Sequence, residues 1–245
     1  MTYRIDLHVH TAASPDGRST LEALAKAARA AGLDALAVTD HNLCTPIPHE
    51  LEGVLLIAGC EVSTAQGHIT GLFLEEPLDL EALRRGGLPT GAEAAEEIRR
   101  RGGIAVLAHP FQSPSAHPED FGFRPDAVEA ANARAAFKVR DANARATGLA
   151  ERWGLPAVGG SDAHAAGEVG SAFTRVEAGS LSGLKAAIQA GQCAPVLARN
   201  TPHVAKGLSQ LAKARREGGL KRLAVGCAYM AYCAGLDIRT CIHNR

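Results

Sequence analysis

Short apolar segments alternate along most of the chain with longer segments that are apolar at helical spacing. Residues 3–9 alternate between polar and apolar side chains and predict a strand, whereas residues 20–31 predict a helix that ends at Gly32. The same two patterns recur up to about residue 190. The further predicted strands cover residues 35–39, 54–62, 68–74, 104–108, 127–131, 156–159 and 173–176, and the further helices cover residues 92–101, 137–153 and 181–190.

This order of elements predicts the fold class. Strands separated by helices are typical of βα units with a mainly parallel sheet. About seven strands fill the first 200 residues, which is enough for a barrel. We therefore expect an α/β barrel over residues 1–199, followed by a short helical tail over residues 200–245 that is split at Gly218–Gly219.

Composition and charge exclude several function classes. Of the 245 residues 46% are apolar and 21% charged, as in a soluble globular protein and unlike a disordered chain. Lys and Arg total 26 and Asp and Glu total 26, so the net charge is zero. Bulk electrostatics therefore gives no attraction to nucleic acid or to an anionic membrane, and an anionic substrate would need a local site.

We expect a cytoplasmic protein that does not enter a membrane. The longest apolar run, residues 223–236, is shorter than the roughly 18–20 residues of a membrane span. No apolar stretch follows the basic residue near the amino terminus, and the six cysteines include no C-x-x-C pair, which favours reduced thiols. Cys227, Cys233 and Cys241 could ligate a metal, although their spacing matches no zinc or iron–sulfur pattern.

The candidate chemistry begins in the first predicted strand. Side chains alternate along a strand, so Asp6, His8 and His10 are expected on one face, where two imidazoles can ligate one metal ion. The alternative is that both histidines are buried and bonded to backbone carbonyls.

Similar side chains occur where other predicted strands give way to loops. A turn could explain Asp40-His41 and a surface position could explain His68, but Glu61 would be a costly buried carboxylate unless paired or bound to metal. The further residues of this kind are His109, Asp162 and His164. In a parallel barrel such strand ends converge on one face, and this set of N and O ligands suits two or three Zn²⁺, Mn²⁺ or Fe²⁺ ions.

Three further residues are candidates with a plain structural alternative. Asp16, in the loop SPDG, is either an additional metal ligand or part of a simple turn. Asn132 and Arg134 follow a predicted strand and could bind a phosphate oxygen, or could be a helix cap and a solvated side chain.

Taken in order, the motifs DLHVHT, TDHN, GCEVS with GHITG, LAHP and GSDAH resemble the polymerase and histidinol phosphatase (PHP) superfamily of metal-dependent phosphoesterases, over residues 3–176. The resemblance implies a distorted (β/α)7 TIM-like barrel. It also implies a ligand set, in which His8, His10 and Asp162 hold a first metal, Glu61 bridges to a second held by His68 and His109, and His41, His164 and Asp16 hold a third.

The resemblance implies hydrolysis of a small anionic phosphoester, either a monoester or a nucleotide or short oligonucleotide diester. The nucleophile would be a hydroxide shared by two metals. Two alternatives remain open at this point: an amidohydrolase-like enzyme that cleaves amides or lactones, and a metal-binding module without catalysis. The identity of the metal (Mn, Fe or Zn) and the oligomeric state also remain open.

Overall fold

Strands and helices alternate through the computed structural model, which describes residues 1–243, with the side chains of residues 241–243 left out. Cys241 therefore lies outside the described side chains. The strands are β1 (Thr2–Val9), β2 (Ala35–Val38), β3 (Glu50–Leu51), β4 (Val54–Thr64), β5 (Gly67–Leu72), β6 (Ile104–Ala108), β7 (Ala127–Asn132), β8 (Ala157–Gly160), β9 (Ala172–Glu177) and β10 (Cys193–Leu197). The helices are α1 (Leu21–Ala30), α2 (Leu80–Arg84), α3 (Gly91–Arg100), α4 (Ala142–Trp153), α5 (Leu184–Gln189), α6 (His203–Glu217) and α7 (Leu220–His243).

The strands form one sheet that curls into a nearly closed barrel. Its main path is β10-β9-β1-β2-β4-β5-β6-β7-β8, and β3 pairs only with β4. Strand β8 at one end of the path meets β9, the strand next to the other end, where the Gly159 N–H donates to Thr174 Oγ1 at 2.7 Å and the Thr174 hydroxyl donates to the Gly159 carbonyl at 2.8 Å. The expected α/β barrel with a helical C-terminal region is therefore confirmed.

Antiparallel pairs distort the barrel. The pairs β1–β2, β2–β4, β6–β7 and β7–β8 are parallel, whereas β4–β5, β5–β6, β1–β9 and β9–β10 are antiparallel. Strand β10 was not predicted because it contains Pro195, which lacks a backbone donor and is tolerated at the end of a sheet path. The helix predicted from residue 137 begins only at Ala142, since residues 135–137 form a separate 3₁₀ turn.

Apolar side chains of alternate strand positions fill the barrel. Ile5 and Leu7 of β1 pack there with Val106 of β6, and Leu184 and Ile188 of α5 close one end of this core. Two outer clusters lie where helices cover the sheet, α3 and α4 on one side and α1 on another. The strand ends that carry polar side chains therefore lie at the opposite end of the barrel.

A break in strand regularity separates Asp6 from the two histidines that follow it. The pairing of β1 with β2 shifts register between Asp6 and Val9, which interrupts the alternation of side chains. The Asp6 carboxylate accepts from the backbone N–H groups of Ser161 at 2.8 Å and Gly170 at 2.9 Å. The expectation that Asp6 shares a face with both histidines is wrong, and Asp6 instead fastens the chain around β8 to β1.

Helices α6 and α7 form an antiparallel hairpin, named here the helical hairpin (residues 203–243). The two helices approach closely at Gly207, where an added Cβ would lie 2.8 Å from the Met230 Cα. The division of the chain into a barrel of residues 1–199 and a tail of residues 200–245 stays a prediction. Among the described residues, no helix combines the length and apolarity needed to cross a bilayer.

Strand β8 runs unusually close to β1 at the end of the barrel that carries the histidines. A Cβ added at Gly160 would lie only 2.4 Å from the His8 Cβ and 2.7 Å from the His8 backbone nitrogen. A side chain at position 160 would therefore push the two strands apart.

We predict that Gly160→Ala lowers the free energy of unfolding by about 1–3 kcal/mol, the usual cost of overpacking a tight site. Urea denaturation of the metal-free protein measures this. The matched control is Gly167→Ala, because an added Cβ there meets nothing within 4 Å. Equal stability of the two variants would contradict the close approach.

Candidate metal centre

Six imidazoles and three carboxylates converge at one end of the barrel. They come from loops or strand ends that are far apart in the chain, and each lies within 3.6 Å of another member. These nine side chains, named here the histidine cluster, are His8, His10, Asp16, His41, Glu61, His68, His109, Asp162 and His164. The structure thus brings together all the residues that the sequence analysis proposed as metal ligands, while their role as ligands stays a prediction.

Glu61 lies at the centre of the histidine cluster and is fully buried. Its Oε1 lies 2.7 Å from His68 Nδ1 and 3.0 Å from His109 Nε2. Its Oε2 lies 2.7 Å from His41 Nδ1 and 3.4 Å from His10 Nε2. One carboxylate therefore connects imidazoles from both sides of the barrel, as a bridging ligand would.

The outer ring nitrogens of His8 and His10 are already used. His8 Nδ1 donates to Glu129 Oε1 at 3.0 Å. The Ser14 hydroxyl gives its proton to Asp40 at 2.8 Å, so it accepts from His10 Nδ1 at 3.2 Å. In neutral imidazoles with these hydrogen bonds both Nε2 atoms carry lone pairs.

His8 Nε2 and His10 Nε2 lie 3.1 Å apart, so in two neutral imidazoles their lone pairs face each other. Without a proton or a cation between them they repel. Two nitrogens that bind one ion, each about 2.1 Å from it, lie roughly 3.0–3.4 Å apart. The separation of His8 Nε2 and His10 Nε2 therefore fits a pair of ligands on one divalent cation.

A second set of contacts surrounds Asp16. His164 Nδ1 donates to the Asp162 carbonyl at 2.8 Å, which leaves His164 Nε2 facing Asp16 Oδ2 at 3.3 Å. His41 Nε2 lies 3.6 Å from the same oxygen. The loop folds back tightly because Gly17 has no side chain: a Cβ there would lie 1.8 Å from the Thr11 carbonyl oxygen.

Three buried atoms of the histidine cluster make no hydrogen bond of good geometry, although two of them have a polar neighbour at 2.7 Å. Asp16 Oδ1, Glu61 Oε2 and His68 Nδ1 are buried without a bond of good geometry. Buried polar atoms are nearly always satisfied, so these atoms indicate an absent partner. The ligand atoms also fall into compact groups, His8–His10–Asp162, Glu61–His68–His109, His8–His109–Glu129 and His10–His41–His164, each within 4.8 Å. The residues therefore fit divalent cations.

The pKa values of the metal-free histidine cluster show how burial and neighbouring charges oppose each other. Burial raises the pKa of Glu61, but His68, His41 and His8 oppose it and hold that pKa well below its usual value. Burial and two neighbouring imidazoles lower the pKa of His10 to about 3. Burial likewise acts against the proton on His41, yet Glu61 and Asp16 raise the pKa of His41 to about 10.

Two carboxylates that were not proposed as ligands support the histidine cluster. Glu129 accepts from His8 and also from the backbone N–H of His109 at 2.8 Å. Asp40 accepts from the Thr11 N–H at 2.7 Å and from the Ser14 hydroxyl at 2.8 Å. The signal for Glu129 was in the sequence, since a lone carboxylate inside an apolar strand is the pattern that singled out Glu61.

The two residues proposed to bind phosphate have protein partners. Asn132 Nδ2 donates to Glu129 Oε2 at 3.0 Å. Arg134 is buried, and its guanidinium donates to Glu168 through Nε at 2.9 Å and to Ser209 through Nη2 at 3.0 Å. Phosphate binding by Asn132 and Arg134 stays a prediction, and for Arg134 it would require the ion pair with Glu168 to open.

Comparison with known proteins identifies sequences that share these motifs. A sequence profile of the PHP domain matches residues 6–97, and a profile described as PHP-associated matches residues 140–193. An uncharacterized protein of Methanocaldococcus jannaschii is 32% identical over 123 residues, which covers 44% of this chain and 68% of that protein.

Solved structures share the fold at low sequence identity. PsfC from Pseudomonas syringae PB-5123 has a TM-score of 0.60 at 21% identity, covering 96% of this chain and 99% of that one. A two-domain protein of Bacteroides vulgatus that contains a predicted PHP-like metal-dependent phosphoesterase has a TM-score of 0.56 at 21% identity, covering 80% of this chain. The lesion-specific endonuclease Q of Pyrococcus furiosus has a TM-score of 0.56 at 18% identity, also covering 80% of this chain. This chain spans 65% of the Bacteroides protein and 58% of endonuclease Q.

We predict that Glu129→Gln weakens divalent-metal affinity by about 10–100-fold, because the amide removes the charge that orients His8 and raises its basicity. Competition with a metal chelator of known affinity measures this for Mn²⁺ and Zn²⁺. Glu81→Gln, an exposed change on α2, is the control and is expected to bind like the wild type. Unchanged affinity in Glu129→Gln would contradict the supporting role of Glu129.

A second prediction concerns the number of protons released when a metal ion binds. At pH 8 the metal-free protein retains a proton on His41, since this pH lies below a pKa of about 10. A histidine must lose that proton to bind a metal. Saturation with Mn²⁺ in weakly buffered solution should therefore release about one proton more from the wild type than from His41→Gln. The exposed His49→Gln should release as many protons as the wild type, and equal release by all three proteins would refute ligation by His41.

Proposed function

Because the chain belongs to the PHP domain family, we propose that it hydrolyses phosphate esters with two or three bound divalent transition-metal ions. The observation that carries the proposal is the pair of facing Nε2 atoms of His8 and His10, 3.1 Å apart beside the buried carboxylate of Glu61. This arrangement of like lone pairs and a shared carboxylate is stable only with positive charge inside it.

We assign the histidine cluster to three ligand groups, as the PHP resemblance implies. His8, His10 and Asp162 form the first, and His68 and His109 form the second. Glu61 lies between these two groups. The third group is His41, His164 and Asp16, held together by contacts of 3.3 and 3.6 Å. Nitrogen and oxygen donors without a thiolate suit Mn²⁺, Fe²⁺ or Zn²⁺.

Bound divalent ions supply Lewis-acid charge, which polarises phosphoryl oxygens and makes water more acidic. The chain contributes the orientation of the ligands: Glu129 and Ser14 hold the Nδ1 protons of His8 and His10, so that both Nε2 atoms point inward. His8 and His10 are buried, with 2% and 0% of their surface exposed, and form the base of the site.

The side open to substrate is defined by the most exposed ligands. The side chain of His68 is 33% exposed and that of His41 is 22% exposed. His68 and His109 also line a cavity of about 430 Å³ together with Gln112. A phosphoryl group that enters this cavity meets the second ligand group first. A phosphomonoester and a nucleotide or short oligonucleotide diester both fit this description, and the fold shared with endonuclease Q supports including diesters.

Cleavage of amides or lactones is the rival reaction for a two-metal barrel. The enzymes that perform it with a carboxylated lysine bridge need a lysine at a strand end. Here Glu61 on β4 holds the central position, with its two oxygens directed to different histidines. This central carboxylate argues against an amidohydrolase of the carboxylated-lysine class.

The proposed function is tested by a substrate panel. We expect the chelator-treated protein to be inactive, and reloading with Mn²⁺, Fe²⁺ or Zn²⁺ to restore hydrolysis of at least one phosphomonoester or phosphodiester but of no amide or lactone. Metal-dependent cleavage of the amide or lactone alone would favour the amidohydrolase alternative. Bound metal with no turnover of any of these compounds would favour a metal-binding module without catalysis.

Single substitutions connect the activity to the histidine cluster. We predict that Glu61→Gln lowers kcat/KM for the phosphoester by more than about 100-fold, because a neutral amide at the centre loses the charge shared by two ligand groups. Glu96→Gln, an exposed change on α3, is the control and should be as active as the wild type. Full activity of Glu61→Gln would end the proposal.

A further inference from the structure

The helical hairpin lies against the loops that hold the histidine cluster. The Arg216 guanidinium of α6 donates to the Ser14 carbonyl, and Ser14 is the residue that orients His10. Ser209 of the same helix accepts from Arg134 at 3.0 Å, and the Thr201 N–H donates to the Ala133 carbonyl at 2.9 Å. The hairpin is therefore fixed beside the end of the barrel that carries the histidine cluster.

A cleft of about 830 Å³ runs along the helical hairpin beside Gln112 and Lys138, and it is strongly basic. Its charged lining residues, named here the basic cleft, are Lys138, Lys206, Lys213, Lys221, Arg222 and Glu217. The chain as a whole has no net charge, so five cations against one carboxylate mark a local concentration of positive charge.

Only part of this charge is neutralised by the protein. Glu217 lies 3.9 Å from the Lys213 amine and 3.6 Å from the Arg222 guanidinium. Within the described part of the chain, Lys138, Lys206 and Lys221 have no carboxylate at ion-pair distance. Lys138 and Lys221 are exposed and Lys206 is half-buried, so an anion in the basic cleft would make charge-assisted contacts with amines that have no carboxylate beside them.

Lys206 of α6 lines the basic cleft and contacts the turn that follows β7. Its amine is 5.0 Å from the centre of the Phe137 ring, a cation–π contact. Burial lowers the pKa of Lys206, while the Asp162 carboxylate of the histidine cluster acts in the opposite direction.

The basic cleft and the cavity at the histidine cluster share one lining residue. Gln112 lines both the cleft and the cavity that contains His68 and His109, and its N–H donates to the His109 carbonyl at 3.0 Å. A ligand that extends from the histidine cluster towards the basic cleft would therefore pass Gln112. The volume of the cleft is that of a small-molecule site.

We propose that the basic cleft binds a second phosphate group of the substrate, one that is not hydrolysed, with Lys206 and Lys138 as its principal contacts. The reference to a substrate rests on the proposed function, whereas the anion site itself does not. The helical hairpin would then select small phosphoesters that carry a further phosphate over those with a single one. The occupant is a small molecule, because the cleft has the volume of one ligand.

Binding of inorganic tripolyphosphate to the metal-free protein tests the anion site without any activity. Isothermal titration should show binding by the wild type and about tenfold weaker binding by both Lys206→Ala and Lys138→Ala, since each loses a charge-assisted contact. Lys26→Ala on α1 is the control, because its amine is 66% exposed and far along the chain from the cleft. No binding by the wild type, or equal binding by all variants, would overturn the proposal.

Matched substrates test whether the site acts in the reaction. Thymidine 5′-(p-nitrophenyl phosphate) is compared with the same compound carrying a 3′-phosphate, and only release of p-nitrophenolate is followed. Lys206→Ala should raise KM for the second compound about tenfold and leave the first unchanged. Equal effects on both would overturn the inference while the proposed function stands. If neither compound nor any phosphoester is hydrolysed, yet tripolyphosphate binding depends on Lys206, the proposed function fails and the anion site stands.

A nucleic acid is the competing occupant. If a 12-nucleotide oligothymidylate bound more tightly than tripolyphosphate and lost affinity in the same two variants, the assignment to a small substrate would be overturned. Weaker binding of the oligonucleotide, or binding that does not depend on Lys206, supports it.

Discussion

The structure depends on keeping six imidazoles and three carboxylates together in a space that largely excludes water. Glu61 is fully buried, and each of its oxygens faces more than one imidazole nitrogen. His8 and His10 direct their Nε2 atoms at each other because Glu129 and Ser14 hold their other nitrogens. Desolvated charges and facing lone pairs are costly unless cations compensate them. The barrel therefore supplies a rigid frame in which the ligands are oriented before a metal binds.

The frame depends on residues that are not themselves proposed as metal ligands. Glycine at position 160 lets β8 approach β1, and glycine at position 17 lets the loop that carries Asp16 fold back on Thr11. The shift in register within β1 turns Asp6 away to fasten the segment around β8. These constraints place side chains from opposite ends of the sequence within contact distance. The helical hairpin is joined to the same region, so residues outside the barrel motifs line the approach to the site.

Much of this was predictable because the chemistry lies in short local motifs. Histidines and carboxylates at successive strand ends predicted a common site, since the strands of a barrel end on one face. The predictions that failed depended on tertiary geometry. Simple alternation of side chains predicted Asp6 on the same face as the histidines. The register shift that moves Asp6 away leaves no signal in the local sequence. Strand β10 was missed at Pro195, and the pairing of Arg134 with Glu168 depends on residues 34 positions apart. The basic cleft was not foreseen: most of its cations lie on α6 and α7, where the sequence showed no recognisable chemistry, and only the fold brings Lys138 beside them.

The central claim is that the histidine cluster is a site for a small group of divalent ions. Anomalous diffraction from crystals soaked in Mn²⁺ or Zn²⁺, recorded on both sides of the metal's absorption edge, tests it most directly. The account predicts two or three peaks, one beside His8 and His10, one beside His68 and His109, and a third, when filled, beside His41 and His164. Absence of any peak within the cluster after soaking, or an experimental structure in which these side chains are dispersed, would contradict it.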